Sequence, residues 1–301
     1  MTSPVKPLHL RLPATSANLG PGFDALGLAM TLYLTIDATE AASFHIKATG
    51  RNADLCASLN NNLILTTYNE ILSAPDRAVP ALNLQIHNEI PLGMGCGSSA
   101  AALLAGVLLA NHFGKLNWTS QKILEEACRR EGHPDNVAAC YLGGMTASAM
   151  SKSKVITATC GQNLTWNLLL ALPSASLATE KARALLPSTY SLADTVANIQ
   201  NTALLVAAFA QNRPDLLKTA MQDRIHQPYR MDACPLLRLL LPLNEHPDVC
   251  GVALSGAGPS VLLIVENKST AERLPEIIRQ AANDPSLEVL HATIAQEALQ
   301  G

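Results

Sequence analysis

The segment Pro91-Leu92-Gly93-Met94-Gly95-Cys96-Gly97-Ser98-Ser99-Ala100-Ala101, running into an apolar stretch that ends at Phe113, constrains this chain more than any other. Glycine at every second position lets the backbone turn tightly and brings bare N–H groups against a ligand. The stretch 98–113 reads as a helix, apolar nearly all round and therefore buried on most sides. Its first N–H groups lack intrahelical partners. Together with the macrodipole they make an anion site suited to phosphates. Ser98 and Ser99 add hydroxyls for a phosphate oxygen or a magnesium ion. Two common phosphate loops are excluded. A Walker A loop needs GxxxxGK[ST], and no lysine lies between Lys47 and Lys115. A Rossmann fingerprint needs GxGxxG, whereas the spacing here is GxGxG. A bare glycine triplet is equally well explained as a hairpin or a helix cap; the full string is not.

Between Glu89 and Lys115 no residue carries a fixed charge, a length that could cross a bilayer. Pro91, the glycines, the serines, Asn111 and His112 inside it favour a loop followed by a buried helix in a soluble protein. The 301 residues, 48% hydrophobic, exceed the usual size of one undivided core, so two domains are expected. With a net charge of −3 and no run of Lys or Arg, the chain is not expected to bind nucleic acid or an anionic membrane. Seven cysteines, odd in number and never spaced CxxC, argue against a disulfide framework or a zinc site. Without an apolar signal core at the N-terminus, a cytoplasmic location is expected.

Periodicity predicts strands at 8–12, 28–36, 82–86, 166–172, 249–254, 260–265 and 287–294. It predicts helices at 62–72, 98–113, 120–130 with Ser120 as cap, 193–211, 214–223, 235–241 and 269–282. Another strand-like run follows Gly143–Gly144 through Ala149. Strands and helices mix without regular βα alternation, so the fold class is α+β. The small, polar stretch 150–161 marks a division into 1–155 and 156–301.

The string PLGMGCGSSAA is similar to the central motif of the GHMP kinases (galactokinase, homoserine kinase, mevalonate kinase, phosphomevalonate kinase), with Cys96 where leucine is usual; that side chain should be packed rather than catalytic. Two further segments match in order. Pro13-Ala14-Thr15-Ser16-Ala17-Asn18-Leu19-Gly20-Pro21-Gly22-Phe23-Asp24 resembles the N-terminal motif in its homoserine kinase form. Ser255-Gly256-Ala257-Gly258-Pro259-Ser260 resembles the C-terminal glycine motif. The resemblance implies a two-domain fold, with a ribosomal protein S5 domain 2-like first half and a ferredoxin-like second half. It implies an ATP- and Mg²⁺-dependent kinase, with Pro91, Leu92, Gly93, Met94, Gly95, Cys96, Gly97, Ser98 and Ser99 around the phosphates. A homodimer is the assembly it implies.

Substrate choice needs other segments. Glu131-Gly132-His133-Pro134-Asp135-Asn136-Val137-Ala138 resembles the family's EGHPDNVA segment; the lone His246-Pro247-Asp248 lacks the flanks and reads as a loop. Pro173-Ser174 with 179–183, and Asp223-Arg224-Ile225-His226-Gln227-Pro228-Tyr229-Arg230, resemble two more homoserine kinase segments. By resemblance Asn18, Asp24, His133, Asn136, Arg183, Arg230 and Gly258 line an L-homoserine site. Asp24 would face the ammonium and the arginines the carboxylate. The product would be O-phospho-L-homoserine, on the way to threonine.

A metal carboxylate should stand near the phosphate helix. On a helical wheel Glu125 and Glu126 flank the apolar set equally, so periodicity leaves both open. The family's register through EGHPDN implies Glu125, with Ser98 as hydroxyl partner. Asn61-Asn62-Leu63-Ile64 resembles the family's adenine segment, which brings in Asn62. The resemblance gives Ser98, Glu125, Asn136 and Arg183 the catalytic roles in direct in-line transfer and implies no dedicated base; Asp135 remains an alternative base. The rival readings are another GHMP kinase, acting on mevalonate or a diphosphocytidyl sugar alcohol, and a non-catalytic ligand sensor on the same fold.

Overall fold

The computed structural model describes residues 5–73, 79–152, 154–175 and 179–300. In chain order the first half comprises β1 (Leu8–Asn18), β2 (Gly22–Ala41), β3 (His45–Gly50), α1 (Ala53–Ala57), α2 (Leu63–Leu72), β4 (Ala81–Asn88), α3 (Ser98–Phe113), α4 (Ser120–Glu131), α5 (Asp135–Leu142), β5 (Met145–Ser151) and β6 (Lys154–Cys160). The second half comprises β7 (Asn167–Leu172), α6 (Thr179–Ala184), α7 (Leu192–Ala210), α8 (Leu217–Ala220), α9 (Gln227–Arg230), α10 (Pro235–Leu240), β8 (Gly251–Leu254), β9 (Val261–Val265), α11 (Lys268–Ala282), β10 (Glu288–Thr293) and β11 (Leu299–Gln300).

β1 and β2 form a long antiparallel pair whose register shifts at Pro13/Ala14 and Ala17/Asn18. Proline offers no N–H to a ladder, and a shift there is the expected consequence. β4 joins β2 antiparallel and β3 joins β4 parallel, while β5 and β6 extend from β2 as a hairpin. Leucines alternating inward from this sheet (Leu10, Leu12, Leu28, Leu84) pack with α3 into the main core. Buried residues occur on every side of α3, as its composition predicts. α2 crosses it at Gly106, where a Cβ would stand 2.6 Å from the Ile64 carbonyl oxygen.

The second sheet runs β10-β7-β9-β8, all antiparallel. Leu169, Leu237, Leu263, Leu274 and Ile278 make a separate core between it and helices α10 and α11. The mixture of one mixed and one antiparallel sheet with helices is the expected α+β class.

Several details differ from the sequence reading, among them the expected helix 214–223, of which only Leu217–Ala220 is α-helical. Thr119, not Ser120, caps α4, its hydroxyl accepting from the Lys122 N–H at 3.2 Å. The division at 155/156 falls inside β6, which is hydrogen-bonded to β5; we propose the 161–166 turn as the boundary. The elements that escaped the pattern include α1, β3, α5, β6, α6 and α9. β3 buries little beyond Ile46, and α5 begins within the polar string 131–138.

Candidate active site

The three glycine-bearing motifs lie far apart in sequence and meet through the backbone. The Thr15 N–H donates to the Cys96 carbonyl at 3.0 Å, and the Gly256 N–H donates to the Ala17 carbonyl at 3.1 Å. The Ser255 hydroxyl donates to the Gly95 carbonyl at 2.7 Å and lies 3.0 Å from the Ser16 hydroxyl. Approach this close requires glycine. A Cβ on Gly95 would stand 2.2 Å from the Ser255 carbonyl oxygen, and φ there is +74°. Beside this junction opens a cavity of about 660 Å³.

Gly97 takes φ 69° at the start of α3, and no side chain caps that helix among the described residues. Its free N–H groups face the end of the cavity lined by Gly93, Gly95, Gly97, Ser98 and Ser99. Leu92 and Cys96 also line it; Pro91 and Met94 do not. Cys96 is almost fully buried, and burial pushes its thiol up to about 12. It is a packing residue, as expected.

Away from α3 the cavity wall turns apolar, with Leu55, Leu63, Ile86 and Ile90, a slot suited to a nucleobase. Asn62 lines it too, but its side chain is committed. Its Oδ1 accepts from the Ile64 and Leu65 N–H groups, capping α2, and its Nδ2 donates to the carbonyls of Cys56 and Ser58. Asn62 thus stands at the cavity wall while its amide shapes the loop that forms it.

The carboxylate beside the serines is Glu131, not Glu125. The Ser99 hydroxyl donates to Glu131 Oε2 at 3.4 Å, and Glu131 lines the cavity. Burial is the main influence on this carboxyl and raises its pKa; neighbouring Asp135 raises it further, against His133 and Ser99. Glu125 is outside the cavity lining. It accepts from Gln121 Nε2 at 2.9 Å, and Gln121 also donates to the Val155 carbonyl of β6. The expected register fails because only the C-terminal end of α4 reaches the glycine loop, and six residues of helix span about 9 Å. Glu126, the other helical option, is buried against Arg129 and Arg130.

At the opposite side of the phosphate loop, polar side chains converge from four segments. Asn18 and Asp24 both take left-handed backbone, φ 69° and 56°, where asparagine and aspartate are tolerated best. Asn18 Nδ2 donates to the Gly256 carbonyl and its Oδ1 accepts the Asp24 N–H, so this amide ties the first motif to the third. Asp135 Oδ1 faces His133 Nδ1 at 2.6 Å and accepts the Asn136 N–H at 2.6 Å. Burial would lower the His133 pKa, but the Asp135 hydrogen bond and the charges of Asp135, Glu131 and Asp24 outweigh it and raise it. The buried hydroxyl of Thr15 donates to Asn136 Oδ1 at 2.7 Å.

The two arginines differ. Arg183 on α6 grips Asp24 with both prongs, at 2.9 and 2.7 Å, instead of standing free for a carboxylate. Arg230 is only 2% exposed, which excludes a solvated side chain, and it lines the cavity. The Phe23 ring lies 5.3 Å from the Arg183 guanidinium carbon and 5.5 Å from that of Arg230. Gly256 and Ala257 line the cavity, but Gly258 does not. Its α-carbon instead faces Cys234, whose Sγ a Cβ would meet at 2.7 Å. Of the residues singled out from sequence, Asn18, Asp24, His133, Asn136, Arg183, Arg230, Ser98 and Ser99 come together; Glu125, Gly258, Pro91 and Met94 do not. Glu131, Thr15 and Phe23 were in the quoted strings without an assigned role.

No helix among the described residues is long and apolar enough to cross a membrane. The GHMP kinase N-terminal domain family matches residues 62–144 and the GHMP kinase C-terminal family matches residues 205–284. A homoserine kinase of Solibacter usitatus is 45% identical over 295 residues, covering 97% of this chain and 96% of that protein. One from Deinococcus radiodurans is 38% identical, covering 91% and 89%. The crystal structure of a homoserine kinase from Cytophaga hutchinsonii superposes with a TM-score of 0.82 at 23% identity, over 100% of this chain and 99% of that one, a likeness of fold. With the three joined motifs and relatives matching nearly end to end, the chain belongs to the homoserine kinase family of the GHMP kinases.

Proposed function

We infer that this chain transfers the γ-phosphoryl group of ATP to the side-chain hydroxyl of L-homoserine. The observation that carries the reading is convergence: Asp24, His133, Asn136 and Arg230 line the same cavity as the glycine loop and Ser98. An amino acid brings an ammonium, a carboxylate and a hydroxyl, and this set offers a carboxylate, a guanidinium and neutral hydrogen-bonding groups for them. Mevalonate and sugar alcohols lack the ammonium and would leave Asp24 without a partner from the substrate.

In this reading the α3 N-terminus and loop amides hold the phosphates, stabilising charge without reorganisation. The donor set fits a magnesium ion. The Ser98 hydroxyl and the Glu131 carboxylate are hard oxygen ligands beside the phosphate loop, and a carboxyl disfavoured in its charged form by burial stands to gain from a cation. Bound there, the ion would offset charge on the phosphoryl group. Arg230 takes the substrate carboxylate, and Asp24 exchanges part of its pairing with Arg183 for the ammonium. Asp135 orients His133 and Asn136 rather than acting as base, since its Oδ1 already accepts from both. Catalysis then rests on positioning the hydroxyl in line with the phosphoryl group. The seven cysteines are free, which suits the reducing cytoplasmic setting this proposal includes.

Coupled ADP-release assays with ATP and Mg²⁺ over L-homoserine, D-homoserine, L-serine and mevalonate test the reading. L-homoserine should be turned over far better than the others. Equal turnover of mevalonate, or none of any, overturns it.

A further inference from the structure

Arg230 is held in an unusual way for a buried cation. Its guanidinium carries five N–H donors. Among the described residues its hydrogen bonds all go to uncharged acceptors: Nε donates to the Ala182 carbonyl at 3.2 Å, and Nη1 contacts His226 Nδ1 at 3.1 Å and the Gly256 carbonyl at 3.4 Å. No carboxylate pairs with it there, and burial together with the like charge of Arg183 lowers its pKa. Its positive charge is therefore left for a ligand in the cavity that it lines.

His226 decides how that guanidinium is turned. The imidazole is 0% exposed. Its Nε2 lies 2.8 Å from the Gly20 carbonyl oxygen. A carbonyl only accepts, so Nε2 carries the hydrogen, and in the neutral ring Nδ1 presents a lone pair to Nη1 of Arg230. A protonated ring would set N–H against N–H. The ring is fixed on every side. Asp223 accepts the Ile225, His226 and Gln227 N–H groups at 2.8, 2.9 and 2.6 Å, fixing the turn into α9. The Phe23 ring lies against the imidazole, tilted by 31° with its centroid 5.4 Å away. Gly20 can lie this close because it lacks a Cβ, which would meet the Met221 carbonyl oxygen at 2.2 Å.

We propose that His226 is the positioning residue of the carboxylate-binding arginine: its Nδ1 lone pair orients the Arg230 guanidinium and registers it to the Gly20–Phe23 loop of the first motif. The proposal rests on the reading of Arg230 given above. His226 itself touches neither substrate nor phosphate.

Steady-state kinetics of three variants test it, with L-homoserine and with 3-aminopropan-1-ol, which lacks the carboxylate. His226→Leu removes the acceptor at similar volume. His226→Asn keeps an acceptor near the Nδ1 position, and Arg230→Lys is the reference for losing the fork itself. For His226→Leu we expect KM for homoserine to rise on the order of 10-fold or more. KM for ATP should stay within about twofold, and the preference for homoserine over 3-aminopropan-1-ol should fall by the same factor as the KM rise. His226→Asn should recover most of both. A merely structural role would lower melting temperature and active fraction without moving the preference between the two substrates, and that outcome overturns the proposal. So does a His226→Asn variant as impaired in preference as His226→Leu. If Arg230→Lys shifts the preference and His226→Leu does not, the positioning role falls alone; if neither shifts it, the reading of Arg230 falls with it. Should His226→Leu not fold, His226→Gln, whose acceptor sits farther out near the Nε2 position, replaces it in the comparison with His226→Asn.

Discussion

Arg183 closes a two-pronged ion pair on Asp24, Nη1 to Oδ2 at 2.9 Å and Nη2 to Oδ1 at 2.7 Å, across 159 positions of sequence. The pair joins α6 of the second half to the first motif, and both residues line the cavity. Both side chains keep substantial exposure, 44% and 33%, so solvent screens their attraction. Its value is in placing Asp24 rather than in holding the fold.

Asp24→Asn should therefore separate function from stability. Asparagine accepts the left-handed backbone at this position, φ 56°. Losing a screened ion pair costs about 1 kcal/mol or less, a shift of a few degrees in melting temperature at most. Losing the only charge we assign to the ammonium should raise KM for homoserine by at least about 10-fold, with KM for ATP unchanged. Calorimetry alongside kinetics checks both halves. A large melting shift with an unaltered KM would return the pair to a structural role.

Three glutamates within one helix should give three different phenotypes. Glu131→Gln is expected to lower kcat by roughly 10²-fold or more and to raise the Mg²⁺ concentration needed for half-maximal rate. Glu125→Gln, facing Gln121 and β6, should change kcat by less than about threefold. Glu126→Gln should lower melting temperature instead. Burial disfavours that carboxylate, but hydrogen bonds from Arg129 and Arg130 outweigh it and lower the pKa, and an uncharged amide with one oxygen cannot keep all of those charge-assisted bonds. A Mg²⁺ titration of all three variants decides; an unaffected Glu131→Gln rate removes it from the metal site.

That contrast marks where the sequence stopped being legible. α3 could be read to the residue, because an uncharged stretch opening on glycine and serine has one way to lie in a core. The phosphate loop and the four polar segments were legible because each motif is contiguous. What failed depended on tertiary geometry. Glu125 and Glu131 share a helix, and only the packing of α4 says which end meets the loop. Asn62 does line the cavity, but that its amide is used within its own loop could not be read from its neighbours in sequence. Arg183 reads as a free guanidinium until a carboxylate from the first motif is folded against it. β3 was missed because His45–Gly50 is mostly exposed and leaves too little apolar alternation to detect.

Glycine in the phosphate loop should be intolerant for two separable reasons. At Gly95 a methyl group would meet both conformational strain, φ +74°, and the Ser255 and Gly258 carbonyl oxygens at 2.2 and 2.8 Å. At Gly132, φ +90°, nothing lies within 4 Å of the added Cβ. Gly132→Ala should cost only the strain of left-handed backbone, about 1 kcal/mol. Gly95→Ala adds backbone clashes that neither motif can relieve without parting, so it should lose more than about 3 kcal/mol or fail to accumulate folded. Where it folds, KM for ATP should rise, because the loop amides move with the clash. Denaturant unfolding of both variants measures the difference; equal losses would mean the junction of the motifs yields more easily than its geometry indicates.

The buried imidazole at His226 gives a pH dependence whose sign can be worked out. Burial is the leading cause of its lowered pKa; the neighbouring Arg230 charge acts the same way, and Asp223, Asp24 and the Gly20 carbonyl oppose. In the unfolded chain a histidine titrates near 6.5. A depressed folded pKa means the unfolded state binds the proton first. The contribution to stability is therefore complete above about pH 6.5 and is lost as pH falls toward the folded value. Asparagine at 226 does not titrate, so the variant should lack this loss, while His133, whose shift has the opposite sign, is common to both proteins. The expected result is a wild-type unfolding free energy that declines more steeply than that of His226→Asn as pH falls below 6.5. Parallel curves would show that the ring takes up its proton as readily in the folded chain as in the unfolded one, and that burial and Arg230 do not hold it neutral.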